Sequence, residues 1–252
     1  MKEKLQQLAT QLEGDFFDDV TMRTLYATDA SAYREMPLAV AIPKTIDDIK
    51  KLIAFARKEK TSLIPRTAGT SLAGQVVGNG SIVDVSKHFT KIIELNAAEN
   101  WVRVQPGVIR DELNMFLKPH GLFFGPETST ANRAMIGGMV GNNSCGSNSV
   151  VYRSTREHLL EVKALLSDGS EATFKALTID EFHAKCEGDN LEATVYTSVR
   201  SILSNYDNQV EIRKEFPKKS VERRNTGYAI DVLLESAPFT AGEEDFNFCK
   251  MF

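Results

Sequence analysis

Hydrophobic positions recur along this chain in short runs and helical stripes, separated by polar turns. Leu5, Leu8 and Leu12 fall on one side of a short amphipathic helix in an otherwise charged N-terminal segment. Residues 38–42 form an apolar run closed by Pro43, which predicts a strand. Thr45 stands three residues before Asp48, the spacing of a variant capping box. Ile46, Ile49, Leu52, Ile53 and Ala56 then line one face of the helix that follows, a face suited to packing on a sheet. Residues 62–65 and 81–85 read as further strands. Lys91 to Leu95 and Trp101 to Gln105 flank a polar stretch, 96–100, that predicts a hairpin.

The second half repeats these signals. Residues 111–117 predict a helix stopped by Pro119 and Gly121. The run 159–166 ends at Asp168-Gly169, a hairpin signal, with 171–175 as the returning strand. From 178 to 216 the period becomes helical, with Leu191, Val195, Val199, Ile202 and Leu203 on or near one face. The pattern is α+β: a two-lobed arrangement of mixed sheets with flanking helices, lobe one about 1–104 and lobe two about 105–252. The final stretch, FNFCKMF, is apolar where domain ends are usually polar, so the chain is expected to stop inside a packed element.

Composition narrows the function classes. The 252 residues, 42% hydrophobic and 25% charged, suit a globular protein rather than a disordered one. A net charge of −4 argues against nucleic-acid binding, and an anionic ligand would need a locally prepared site. Cys145, Cys186 and Cys249 lie far apart, and so do His88, His120, His158 and His183. Neither set has metal-ligand or disulfide spacing, which points to reduced thiols and the cytoplasm. The N-terminus lacks the apolar core of a signal peptide, and no run is long enough to cross a bilayer.

Two loops carry candidate chemistry. The first, PRTAGTSLAGQ at 65–75, follows a strand, and its small residues would let backbone N–H groups converge on an anion. Thr70 and Ser71 add hydroxyls and Arg66 adds charge. It is neither a P-loop nor a Rossmann fingerprint. The second combines GPETST at 125–130 with IGGMVGNNSCG at 136–146, where glycines permit close approach and Thr128, Ser129, Asn142 and Asn143 offer hydrogen bonds. Alone, each loop is explained as well by a tight turn or a close packing contact; together they favour a dinucleotide-sized ligand.

The order PRTAGTSLAG, QPGV, GPETST, IGGMVGNNSCG, then Tyr152, resembles the FAD-binding (PCMH-type) domain of the vanillyl-alcohol-oxidase flavoenzyme superfamily, nearest the glycolate, D-lactate and D-2-hydroxyglutarate dehydrogenase branch. The likeness runs from about Asp29 to Glu235. It implies FAD extended between two lobes. The diphosphate would be held by the loop from Arg66 to Gly74, mainly through amides at Ala68, Gly69, Thr70 and Ser71, with Leu72 in the same loop. Pro106, Gly107 and Val108 would close around the cofactor, and Pro126, Thr128 and Ser129 would lie near the flavin. Ile136, Gly137, Gly138, Gly141, Asn143 and Gly146 would form a second wall, and the backbone of Val162 would meet the adenine. Binding would be non-covalent, because the loop has no histidine or cysteine at the usual attachment points.

Some positions depart from the family pattern: Glu127 for aspartate, Met135 for a small hydroxyl residue, Cys145 for a small residue, and Arg153 for glycine. A segment 223–228 resembles the one that precedes the family's Gly-Ser-Glu-Gly-Thr stretch, which this sequence does not reach. The resemblance therefore implies the flavin-holding N-terminal fragment of a 2-hydroxy-acid dehydrogenase, with its substrate-binding cap absent. Such a fragment is expected to be inactive alone and to bind FAD weakly or not at all. No residue present is assigned a catalytic role. The whole protein would take a small 2-hydroxy acid and pass electrons to an acceptor, in some relatives an attached iron–sulfur module. A non-catalytic FAD-carrying electron-transfer subunit, a nucleotide-sugar reductase of the same fold and a flavin-independent phosphate-binding module remain alternatives.

Overall fold

The computed structural model describes residues 1–218, 220–221, 223–224, 227–241 and 244–252. Within the segment 223–228, Asn225 and Thr226 lie outside the described residues. The chain divides into two compact units, Met1–Gly141 and Asn142–Phe252.

The first unit opens with α1 (Lys2–Ala9), β1 (Asp15–Phe17) and α2 (Val20–Leu25), followed by β2 (Ala39–Ile42), α3 (Ile46–Glu59), β3 (Leu63–Arg66) and β4 (Ser81–Asp84). The four strands form one sheet in the order β1-β2-β4-β3, with β2, β4 and β3 parallel and β1 antiparallel at the edge. Every residue of β2 and β4 is buried, as expected of inner parallel strands covered on both faces. Helix α3 covers one face: Leu52 joins Leu8, Ala41 and Val83 in a core cluster.

The capping box at the start of α3 is present: Thr45 accepts from the Asp48 N–H while the Asp48 side chain reaches back. Asp48 does more than cap. Its carboxylate is buried and accepts backbone N–H bonds from Glu13, Gly14, Lys44 and Thr45, at 2.8, 3.0, 2.9 and 3.4 Å. Burial pushes its pKa up, but these donors outweigh burial and hold it below the usual carboxylate value. The predicted helix face holds at Leu52, Ile53 and Ala56, whereas Ile46 is 52% exposed, because the buried stripe begins only after the capped first turn.

The hairpin β5 (Ile92–Asn96) and β6 (Trp101–Val104) is antiparallel with a bulge between Ile92 and Glu94, and Asn100 takes a left-handed conformation in its turn. Helix α4 (Arg110–Leu117) packs on it through Leu113 and Leu117, with Val108 just before the helix in the same cluster, and Gly121 ends the following single turn at φ 70°. This packing explains why the division falls after Gly141 rather than near residue 105: the segment after 105 is built onto the hairpin that precedes it. The short helix α5 (Ile136–Gly141) closes the unit.

The second unit contains α6 (Ser149–Tyr152), the hairpin β7 (Val162–Leu165) and β8 (Glu171–Phe174), β9 (Ala176–Leu177), α7 (Ile179–Lys185), α8 (Leu191–Ser204), α9 (Tyr206–Glu215), α10 (Ile230–Leu234) and β10 (Phe246–Asn247). Asp168-Gly169 makes the predicted turn, with Gly169 at φ 87°. The helical region 178–216 resolves into three helices. Val199 and Leu203 are buried as expected, while Ile202 is 43% exposed. An aromatic core of Phe174, Phe182, Tyr196, Phe246 and Phe248 organises the unit. The apolar end of the sequence is part of it. Strand β10 pairs with β9, Asn247 Nδ2 donates to the Leu160 carbonyl, and Cys249 is fully buried, its thiol pushed up to about 11 by burial. FNFCKMF thus finds its cover within the unit.

Candidate functional site

Parallel β-strands present their loops at the carboxyl edge of the sheet, the usual place for a ligand in such sheets. Here β3 ends at Arg66 directly beside Asp84, the last residue of β4. The loop that follows is the first glycine-rich segment. Gly69 and Gly74 both take positive φ, 65° and 71°, a region that glycine enters without strain. The Arg66 guanidinium lies flat behind Gly69, where an added Cβ would stand 2.5 Å from Arg66 Nη2. The Tyr33 ring backs Gly74 in the same way, at 2.8 Å.

The inner side of the loop is therefore filled and its outer side is polypeptide backbone. Among the described residues, none accepts a hydrogen bond from the N–H groups of residues 67–72. Ser71 is turned into the loop: its Oγ donates to Gln75 Oε1 at 2.8 Å and accepts from the Ala73 N–H at 3.1 Å. Leu72, in contrast, is 81% exposed at the tip.

The second segment meets this loop within the same unit. A Cβ on Gly138 would stand 2.5 Å from Thr67 Oγ1, and one on Gly137 would strike Pro106. The turn at Pro106, Gly107 and Val108 forms the seam: Gly107 N–H donates to the Phe89 carbonyl at 2.7 Å, Gly137 N–H to the Pro106 carbonyl at 2.8 Å, and Ile136 N–H to the Val108 carbonyl at 2.9 Å. Val108 is buried and Ile136 packs beside it in the core, so these two offer a ligand little beyond backbone. The strap carrying Pro126 is pinned by α4, since Arg110 Nε donates to the Pro126 carbonyl at 3.1 Å and Asn114 brackets the Phe124 peptide. Thr128 lies 3.4 Å from Thr130 by their hydroxyls, Ser129 is exposed, and Gly141 has open space where a Cβ would point.

In the second unit, Asn143 is buried in a left-handed conformation at φ 43°, and its Oδ1 accepts the Arg156 N–H at 2.9 Å. Gly146 N–H donates to Ser149 Oγ at 2.8 Å. Val162 opens β7 opposite Phe174, and its backbone faces the Cys249 thiol. Arg153, which stands where the family pattern has glycine, adopts φ 56° and ψ −148°. That region is essentially reserved for glycine, so the departure carries backbone strain.

Spacing did not single out the residues that support the first loop. Tyr26 donates through its hydroxyl to Asp84 Oδ2 at 2.6 Å, its ring lies under the Arg66 guanidinium with Cζ 5.1 Å from the centroid, and Arg66 Nη1 donates to the Thr28 carbonyl at 2.9 Å. Among the described residues, no group of three His, Cys, Asp or Glu side chains is placed to hold a metal, and no helix is long and apolar enough to cross a membrane.

The FAD binding domain family matches residues 37–175. The chain is 36% identical over 249 residues to D-2-hydroxyglutarate dehydrogenase of Haemophilus influenzae, covering 95% of this chain and 23% of that protein. It is 30% identical over 171 residues to glycolate oxidase subunit GlcD of Bacillus subtilis, covering 67% of this chain and 36% of the relative. The chain thus spans about a quarter of the length of the dehydrogenase it matches. Among solved structures, an alkyldihydroxyacetonephosphate synthase superposes with a TM-score of 0.61 at 18% identity, over 77% of this chain and 37% of that one. A p-cresol methylhydroxylase gives 0.59 at 14% identity, over 69% and 35%. At such identities the likeness concerns the fold.

Proposed function

The chain belongs to the FAD binding domain family, and from that premise we propose that it holds the FAD of an oxidoreductase acting on small 2-hydroxy acids, of the glycolate, D-lactate and D-2-hydroxyglutarate kind. The observation that carries the reading is the loop after β3. Its amides at 68–72 have no acceptor among the described residues, and its glycines let Arg66 and Tyr33 pack directly behind the backbone. An uncharged cradle of N–H groups fits a diphosphate, whose oxygens accept several such bonds at once. The residues present therefore fit FAD.

Ala68, Gly69, Thr70 and Ser71 would hold the diphosphate through their N–H groups, with Arg66 supplying positive charge behind the backbone. Gly74 and Gly138 would shape the cradle by letting Tyr33 and Thr67 pack against the backbone. Exposed Leu72 offers an apolar contact for a flat ring. Pro106, Gly107 and Val108, with Ile136 and Gly137, would fix the floor, and Pro126, Thr128 and Ser129 would line the flavin side. Gly141, with open space where a Cβ would point, would complete the contacts of this unit, whereas Asn143 and Gly146 are already paired within the other. When bound, FAD supplies a hydride acceptor at flavin N5 for the α-carbon hydride of the hydroxy acid. This chain's part is to bind, orient and exclude water around the ring; it contributes no catalytic acid or base. The attachment would be non-covalent, a reading supported by the lack of histidine and cysteine in loop 66–74. Substrate recognition and electron acceptance belong to the remainder of a whole protein of the relatives' length, in the cytoplasm.

The test is a titration of the purified chain with FAD and with riboflavin, followed by flavin fluorescence. The reading expects FAD to bind measurably and riboflavin far more weakly, with Gly69→Val abolishing the difference. Equal affinity for the two flavins would remove the diphosphate cradle from the account.

A further inference from the structure

The loop that offers free amides is held from behind by a chain of side chains that no motif marks. Arg66 is clamped on three sides. The Tyr26 ring lies against its guanidinium with Cζ 5.1 Å from the centroid, the Thr28 carbonyl accepts from Nη1 at 2.9 Å, and Gly69 comes so near that an added Cβ would stand 2.5 Å from Nη2. Tyr26 is itself fixed. Its hydroxyl donates at 2.6 Å to Asp84 Oδ2, and the other carboxylate oxygen accepts the Ser86 N–H at 2.8 Å. Asp84 is buried at the end of β4, in register with Arg66 at the end of β3, so sheet and clamp share one anchor. Burial first, and then the Asp84 carboxylate, raise the Tyr26 pKa, which keeps the phenol protonated and donating.

We infer that Tyr26 and Asp84 are positioning residues for the cofactor loop: they hold the Arg66 guanidinium as a flat platform under Gly69, and the platform sets the left-handed turn from which the amides at 68–71 point outward. Arg66 then acts on the diphosphate mainly through the loop it supports, with its charge one layer behind the amides. Lysine cannot replace it, because an ammonium has no planar face to lie between a ring and a peptide. The inference rests on the FAD reading of this loop and adds the residues that shape it.

The variant to use is Tyr26→Phe, which keeps the ring under Arg66 and removes only the bond to Asp84. Asp84→Asn, which keeps an acceptor, is its conservative partner. Two readouts are needed: the HN–Hα couplings of Gly69 in the protein without ligand, and the affinities for FAD and riboflavin. Tyr26→Phe is expected to average the Gly69 couplings away from a fixed left-handed turn and to weaken FAD about tenfold, the effect of one lost hydrogen bond to a charged group. Riboflavin affinity should stay near wild type, the melting temperature should fall modestly because the buried Asp84 carboxylate loses a donor, and Asp84→Asn, which keeps one of the two accepting oxygens, should weaken FAD less than Tyr26→Phe. Arg66→Lys should resemble Tyr26→Phe rather than wild type. Wild-type couplings at Gly69 together with wild-type FAD affinity in Tyr26→Phe would overturn the inference while leaving the FAD reading intact. Failure of the wild-type chain to prefer FAD over riboflavin would instead remove the reading on which it rests.

Discussion

Residues 66–74 and 143–146 are alike in composition, being rich in glycine, serine and asparagine or threonine, yet the structure uses them in opposite ways. In the first loop, the N–H groups of residues 67–72 have no acceptor among the described residues while side chains fill the space behind Gly69 and Gly74. In the second, the polar atoms turn inward: Asn143 Oδ1 takes the Arg156 N–H, the Ser144 carbonyl takes both the N–H and the hydroxyl of Thr155, and Gly146 N–H goes to Ser149. Glycine content alone therefore does not mark a binding surface. What separates the two is whether the donors already have partners in the fold. The first loop is shaped for a ligand, and the second is chiefly a brace that holds its own unit together.

That contrast predicts which substitutions damage the fold and which damage binding. The largest stability loss is expected at Gly107, where a Cβ would meet the Phe89 and Val85 carbonyls at 2.7 and 2.9 Å. Gly107→Ala should cost about 3 kcal/mol in a denaturant titration, since backbone rather than a side chain must move. Asn143→Ala should cost about 2 kcal/mol by leaving the buried Arg156 N–H without an acceptor; a loss of FAD affinity with unchanged stability would instead make Asn143 a ligand contact and break the comparison. Arg153→Gly should stabilise the second unit by about 1 kcal/mol through relief of its backbone strain, read as a raised melting temperature. The smallest effect on stability, within about 0.5 kcal/mol, is expected for Thr70→Ala, which removes the hydroxyl and keeps the N–H that would meet the diphosphate, so FAD binding should stay near wild type. A large drop in stability there would place the first loop in the same class as the second.

Much of the framework was legible in the sequence because it is local. The Thr45–Asp48 box, the Asp168-Gly169 hairpin and the Gly121 stop each depend on residues within a few positions of one another, and each forms as read. The edge strand β1 escaped notice because three residues, Asp15 to Phe17, show no usable alternation. Asp48 was legible as a cap but not as the acceptor for Glu13 and Gly14, which approach from a distant part of the chain. The candidate site divides in the same way. Loop 66–74 announces itself by small residues after a strand, and the order of motifs leads to its neighbour, but nothing in the spacing brings Gly138 against Thr67. The Tyr26–Asp84 pair, 58 residues apart, is visible only once β3 and β4 lie side by side.

The central claim concerns the amides that follow Arg66, and amide chemical shifts test it most directly, even at weak affinity. The chain, labelled with nitrogen-15, would be titrated with FAD while the backbone resonances are followed one by one. The account predicts that the signals of Ala68, Gly69, Thr70 and Ser71 move first and furthest, that ADP reproduces their movement, and that riboflavin does not. Shifts confined to other parts of the chain, with these four signals stationary at saturating FAD, would contradict it.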